Sequence, residues 1–128
     1  MKSRILIVDD ASIMRRILKN ILVTNGYDVI GEASNGEEAL ELYKKLKPDL
    51  VTMDIVMPQV NGIQALKNIL DYDKNAKVIM ISVIDQRHAL KEVIDAGACD
   101  FILKPFENER VISAIEDCLH PKTKDTQD

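Results

Sequence analysis

The chain has 128 residues and a mass of 14.4 kDa, with 46% hydrophobic and 30% charged residues, which suits one globular domain and excludes two. About two-thirds of the surface of a chain this long is buried on folding, enough for a core without staples. The 21 acidic and 17 basic residues leave a formal net charge of -4, so there is no electrostatic footprint for gripping nucleic acid or an anionic membrane.

No targeting pattern opens the sequence and no apolar run approaches a membrane span, so a cytoplasmic location is expected. Trp is absent and aromatics are 4%, which leaves no stacking platform for sugars or single-stranded nucleic acid. Cys99 and Cys118 are too few for a disulfide framework and show no metal-ligand spacing with His88 or His120. Both read as small buried hydrophobes.

Short β-branched runs alternate with amphipathic stretches five times. Residues 4–8 (RILIV) read as a buried strand that stops at two aspartates. The following helix places Ile13, Met14, Ile17, Leu18, Ile21 and Leu22 on one face and ends at Asn25-Gly26. Residues 27–33 form a weaker strand, whose Gly31 and Glu32 suggest an edge. Asn35-Gly36 then turns into a helix over 37–47, with Ala39, Leu40, Tyr43 and Leu46 as its stripe and Pro48 as its stop.

The third strand, 49–53, delivers Asp54 to its carboxyl end. A loop through Pro58 and Asn61-Gly62 leads to a helix from about 63 to 70 that buries Ile63, Leu66 and Ile69 or Leu70. Residues 78–83 (VIMISV) are the most continuous apolar strand, hence central. Asp85 can cap the fourth helix, which carries Ala89, Leu90, Val93 and Ile94 inward and stops at Gly97. The fifth strand is 100–103, closed by Lys104-Pro105. The last helix runs from about 107 or 108 to 119 with Val111, Ile112, Ile115, Cys118 and Leu119 as its face. The domain is expected over residues 1–120, and 121–128 (PKTKDTQD) form a polar tail that buries nothing and is expected to be disordered.

Five strand-helix units with short connections predict an α/β fold with an open, doubly wound parallel sheet. Such a sheet binds its ligand outside the carboxyl ends of the strands, where strand order reverses. The residues leaving the strands at that edge are Asp9 and Asp10, Asp54, Ser82 and Lys104. Singly, each has a bland reading: an Asp pair before a helix is usually an N-cap, a serine a loop hydroxyl, a lysine a solvated charge. Asp54 is harder to dismiss, because an unpaired carboxylate beside a buried strand is costly.

Three carboxylates in one crevice repel unless a cation is supplied. With Lys104 contributing one positive charge, a divalent ion brings the formal sum to zero. All-oxygen ligands without His or Cys favour a hard ion, and few carboxylates plus water suit Mg²⁺ or Mn²⁺ better than Ca²⁺. A metal beside a carboxylate nucleophile, a lysine and a hydroxyl is the equipment for phosphoryl transfer onto Asp54.

The chain resembles response-regulator receiver domains. The residues that carry the resemblance are Asp9-Asp10, Asp54 with Met57-Pro58 and Asn61-Gly62 after it, Ser82, and Lys104-Pro105, across about residues 3–119. Residues 10–19 (DASIMRRILK) look like single-domain chemotaxis regulators of the CheY type. The resemblance implies the flavodoxin-like strand order 2-1-3-4-5. It also implies Asp54 as phosphoacceptor, Mg²⁺ on Asp9, Asp10, Asp54 and the backbone carbonyl of Val56, and Ser82 and Lys104 on the phosphoryl group. Phe101 falls at the family's switch aromatic, and the switch hydroxyl is Ser82 where Thr is commoner. Phe101 also has a plain reading as a strand residue on an edge face. Without a phenol, the two-state element must rest on packing.

Val56, two residues after Asp54, and Ile84, two after Ser82, are the residues expected to flank the attacking water, and both are apolar. A long-lived acyl phosphate is therefore expected, and an aspartate-nucleophile phosphatase is disfavoured because its second acid is missing at Val56. A flavin or nucleotide carrier on the same fold would want a Gly- or Ser/Thr-rich loop where two aspartates stand. The implied partners are a sensor histidine kinase and a downstream protein, such as a flagellar motor switch component or a phosphotransfer protein, engaged through the fourth helix, fifth strand and fifth helix. A phosphorelay intermediate or phosphate sink fits the same residues, with no nucleic acid or membrane partner. The chain is expected as a monomer or weak dimer. Because the five units and the tail use up the sequence, its output is expected through a surface offered to another protein.

Overall fold

The apolar runs form strands, the central ones buried on two faces, and the polar interruptions between them start and stop helices. A computed structural model describes residues 2–83 and 87–121, with Arg87 and His88 placed by backbone alone. In chain order the elements are β1 (Arg4–Val8), α1 (Ser12–Thr24), β2 (Asp28–Ala33), α2 (Gly36–Leu46), β3 (Leu50–Met53), α3 (Gly62–Tyr72), β4 (Val78–Ser82), α4 (Arg87–Ala96), β5 (Asp100–Leu103) and α5 (Asn108–Leu119). The strands pair in parallel in the order β2-β1-β3-β4-β5, as the family resemblance implies.

Alternation along each strand sends neighbouring side chains to opposite faces of the sheet. On one face Ile5, Ile7, Leu50, Ile79, Ile81 and Ile102 pack with Leu18 and Leu22 of α1 and with Val111, Ala114 and Ile115 of α5. On the other, Leu6, Val8, Val51, Met53, Val78 and Met80 pack with α2, α3 and α4 through Ala39, Tyr43, Leu66, Ile69 and Val93. The central strands β3 and β4 are buried throughout, whereas β2 lies at the sheet edge with exposed positions and an irregular register against β1. Pairing passes from β1 to β2 on one side and to β3 on the other. The reversal of strand order therefore opens a crevice at the carboxyl ends of β1 and β3.

Helix boundaries follow local chemistry. The side chain of Asn35 accepts from the Glu38 N–H at 2.8 Å while Glu38 Oε1 accepts from the Ser34 N–H at 2.7 Å, a reciprocal cap for α2. Gly97 follows α4 at φ +113°, a conformation open to glycine at no steric cost. Relative to the sequence reading, α2 and α3 each start one residue earlier. In addition β2, β3 and β4 each lose one terminal residue, a shift within the usual uncertainty of element ends.

Two helix faces are narrower than periodicity suggests. Ile13 is 69% and Ile17 42% exposed on α1, and Leu90 is 46% and Ile94 45% exposed on α4. The helices rest on a sheet along a single stripe, so apolar residues at the margin of a wide helical face stay in water. The cysteines also depart from expectation: Cys99 and Cys118 are bonded to each other, and only Cys118 is buried. The proposed cap Asp85, the turnover position Ile84 and residues 122–128 of the tail lie outside the described residues. Among the described residues no helix is long and apolar enough to cross a membrane.

Candidate functional site

Four strands deliver the predicted polar residues to one crevice. Lys104, one residue past β5, sets its Nζ 2.9 Å from Asp9 Oδ2 and 3.5 Å from Asp54 Oδ2. The Ser82 hydroxyl, at the end of β4, donates to the Asp54 carboxylate. Asp9, Asp10 and Asp54 each offer a carboxylate oxygen, and these oxygens lie within 4.8 Å of one another. Asp9, Asp54 and Ser82 are buried, while Asp10 stands at the exposed rim.

The backbone explains why these groups converge. The Asp9 N–H donates to the Ala33 carbonyl and the Asp54 N–H to the Val8 carbonyl, each at 3.0 Å, so both aspartates continue the ladder just past the last strand residue. Asp9 does not cap α1. The cap position is Ala11, without a side-chain bond, and Asp9 Oδ1 instead accepts from the Ala11 N–H at 2.9 Å. Arg15 Nη1 donates to the Asp9 carbonyl at 2.7 Å and pins the turn from the first helix. The Lys104 N–H donates to the Ser82 carbonyl at 2.8 Å, and the Lys104-Pro105 peptide is cis.

The loop after Asp54 is held by Gly62, whose N–H donates to the Ile55 carbonyl at 2.7 Å. A Cβ on Gly62 would lie 2.0 Å from the Asp54 carbonyl oxygen, so only glycine permits this approach. Asn61 then caps α3 by accepting from the Gln64 N–H at 2.9 Å.

Burial is the main influence raising the Asp54 pKa, and Asp9 acts in the same direction. Lys104, the Ser82 hydroxyl and the Ile55 N–H oppose it. One ammonium against three carboxylates leaves a formal charge deficit of two, which a divalent cation matches. Oxygens around Mg²⁺, at about 2.1 Å from the ion, lie roughly 3 to 4 Å apart, so small side-chain adjustments would bring this cluster around a single ion. The donor set of oxygens without nitrogen or sulfur fits a hard cation.

The remaining predicted positions surround this centre. Val56 is exposed in the loop after Asp54. Phe101 is half-buried, lies opposite Met80 in the β4–β5 register and packs on the core beneath α2, α3 and α4. Ser82, two residues beyond Met80, lies opposite Leu103. Leu103 and Leu90 present exposed apolar surface nearby on β5 and α4. Sequence reasoning missed the pinning role of Arg15, which reads as a solvent-facing charge on a helix. It placed Gly62 in the loop after Asp54 and among the residues of the family resemblance, but had no signal for its contact with the Asp54 backbone.

Comparison with protein families matches residues 5–116 to the response regulator receiver domain. Chemotaxis protein CheY of Thermotoga maritima is 56% identical over 115 residues, covering 90% of this chain and 96% of that protein. Chemotaxis protein CheY of Bacillus subtilis is 52% identical over 120 residues, covering 94% of this chain and all of that protein. Among solved structures, the CheX-CheY-BeF3-Mg+2 complex from Borrelia burgdorferi contains a chain that superposes with a TM-score of 0.88 at 38% identity. That match covers 90% of this chain and 87% of the other.

Proposed function

Since the chain belongs to the response-regulator receiver family, we propose that it is a phosphorylation-driven switch in which Asp54 accepts a phosphoryl group from a phosphohistidine of a sensor histidine kinase. The observation that carries this reading is the placement of the Lys104 ammonium within 3.5 Å of Asp54 and 2.9 Å of Asp9, in a buried acidic crevice. A carboxylate must be ionised to attack phosphorus. Lys104, the Ser82 hydroxyl and the Ile55 N–H favour that form against burial.

In the transfer, an Asp54 oxygen forms the new bond to phosphorus while the bond to the leaving imidazole nitrogen breaks. Lys104 and Ser82 meet the charge that spreads over the equatorial oxygens. Asp9, Asp10, Asp54 and the Val56 carbonyl would hold Mg²⁺ or Mn²⁺, which would supply positive charge to offset the phosphoryl oxygens. The chain's own residues promote the transfer, so a small acyl phosphate can serve as donor in place of the kinase.

The acyl phosphate replaces one negative charge at Asp54 with nearly two, drawing Ser82 and Lys104 toward it. Phe101 shares its sheet face with Ser82, and the change is passed by packing through β5 to α4 on that face, with α5 completing the expected partner surface. The exposed Leu90 and Leu103 supply the apolar part of that surface. Chemotaxis is the pathway supported by the names of the relatives, with a flagellar motor switch component or a phosphotransfer protein as the downstream partner. Relay and phosphate-sink roles use the same chemistry.

Incubation with acetyl phosphate and Mg²⁺ should add one phosphoryl mass to the protein, and Asp54→Ala should abolish it. An unchanged mass in the parent overturns the reading. Multiple turnover on phosphate esters would instead indicate a phosphatase.

A further inference from the structure

Cys99 and Cys118 form a disulfide with Cα atoms 6.1 Å apart, far from the acidic crevice along the sheet. Cys99 precedes β5, where its N–H donates to the Val78 carbonyl at 2.7 Å, whereas Lys104 follows the same strand at its other end. Cys118 lies in the last turn of α5, so the bond closes a loop of 19 positions that contains β5 and nearly all of α5.

The two sulfur-bearing residues are unequally placed. Cys99 is exposed, while Cys118 is buried among Ile5, Ile79 and Ile115. A reagent in solution therefore reaches the bond from the Cys99 side. Exposed disulfides are the ones open to exchange, in contrast to the shielded disulfides that serve only as staples.

The last turn of α5 keeps further anchors. Lys77 Nζ donates to the Cys118 carbonyl at 2.9 Å, and the Tyr27 hydroxyl donates to the Glu116 carboxylate. These hold the helix in register when the covalent link is open, which keeps the two sulfurs close enough for the link to re-form.

We infer that Cys99–Cys118 is a reversible thiol-disulfide site, opened by a dithiol that attacks at Cys99 and closed again by a small disulfide such as glutathione disulfide, and that its state sets how tightly the end of α5 is held to the sheet. In reduction, a thiolate of the dithiol bonds to Cys99 Sγ as the bond between the two chain sulfurs breaks. Cys118 leaves as a thiolate and takes up a proton. The second thiol of the reagent, losing its own proton, attacks the mixed disulfide and releases Cys99, which is protonated in turn. The dithiol gives up two electrons and the chain gains two thiols; in closure the Cys99 thiolate attacks glutathione disulfide and releases one glutathione thiolate, and the Cys118 thiolate then attacks Cys99 Sγ and releases the second, each taking up a proton lost by a chain thiol. This inference does not depend on phosphoryl chemistry at Asp54.

The test uses the full chain. After exposure to glutathione disulfide, trapping with a maleimide in denaturant should add no maleimide and no glutathione mass. After dithiothreitol it should add two maleimides. Closing a loop of this length shifts an unfolding equilibrium by roughly 200-fold. Native-state hydrogen exchange over residues 111–119 should accordingly quicken by at least about tenfold on reduction. Cys99→Ser, a change at an exposed position, should exchange like the reduced parent with or without dithiothreitol. Two maleimides after glutathione disulfide, a lasting glutathione adduct on one cysteine, or equal exchange in the two redox states overturns the inference.

Discussion

Replacing Asp54 by Asn should stabilise the metal-free protein. Asp54 is buried and shares its crevice with two carboxylates whose oxygens lie within 4.8 Å of its own. At that separation each repels it by about 3.5 kcal/mol with an effective dielectric of about 20, and the exposed Asp10 by less. Lys104, at 3.5 Å, attracts it by about 5 kcal/mol on the same scale. The pair interactions nearly cancel, so burial decides the sign, in agreement with the raised pKa of Asp54. The substitution does not orphan the lysine, because Asp9 still holds it at 2.9 Å.

A gain on the order of 1 to 2 kcal/mol is expected, which raises Tm by about 4 to 8 °C for a domain of this size. The pH dependence follows from linkage. With the folded-state pKa above the unfolded one, the contribution of Asp54 to stability is fully present below the unfolded value and is lost as the pH rises through the folded value. The advantage of Asp54→Asn should therefore appear at neutral pH and vanish in acid. Urea melts of both proteins with a chelator, at neutral and acid pH, measure it. A variant less stable than the parent at pH 7 would refute the electrostatic account. Added Mg²⁺ should then stabilise the parent more than the variant, which has lost an anionic ligand.

Gly62→Ala should cost about 3 kcal/mol or more in a urea melt, because its Cβ would meet the Asp54 carbonyl oxygen at 2.0 Å; a cost under 1 kcal/mol would show that the loop yields freely. Lys104→Met should destabilise the metal-free protein by about 2 to 4 kcal/mol at neutral pH by leaving Asp9 buried without its cation, and a neutral outcome would argue against that pairing. The acyl phosphate on Asp54 should persist in purified protein with Mg²⁺, because the side chain at Val56 offers nothing to position water. Phosphate release within seconds would contradict this, and joint replacement of Val56 by Asn and Ile84 by Glu should shorten the lifetime.

The parts of the molecule most legible in sequence are those where burial leaves little choice. Residues 50–53 and 78–82 are buried on both faces, so their apolar runs announce strands, and the polar residue that follows the first, Asp54, and the one that ends the second, Ser82, announce the crevice. Asp54, Ser82 and Lys104 could be grouped because the architecture sends all strand ends to one edge. Helix faces were read less well. Periodicity shows that Ile13 and Ile17 lie on the apolar side of α1, but not how much of that side the sheet covers.

The Cys99–Cys118 bond was not legible, because a separation of 19 positions has no periodic meaning, and only the packing of α5 beside β5 brings the sulfurs together. The same holds for Arg15, which helical spacing places toward solvent and which folds back onto the Asp9 carbonyl. Thr52 shows a further limit. Its hydroxyl is buried with no hydrogen-bond partner among the described residues, and its β-branched side chain suits the strand.

The ion pair between Asp9 and Lys104 joins residues 95 positions apart, on strands with two others between them in the sheet. During synthesis the three carboxylates leave the ribosome some fifty residues or more before their cation does. An unfinished chain thus carries these carboxylates without their lysine, which follows the last strand to be made. The crevice gains its lysine counter-charge only once that strand has been made.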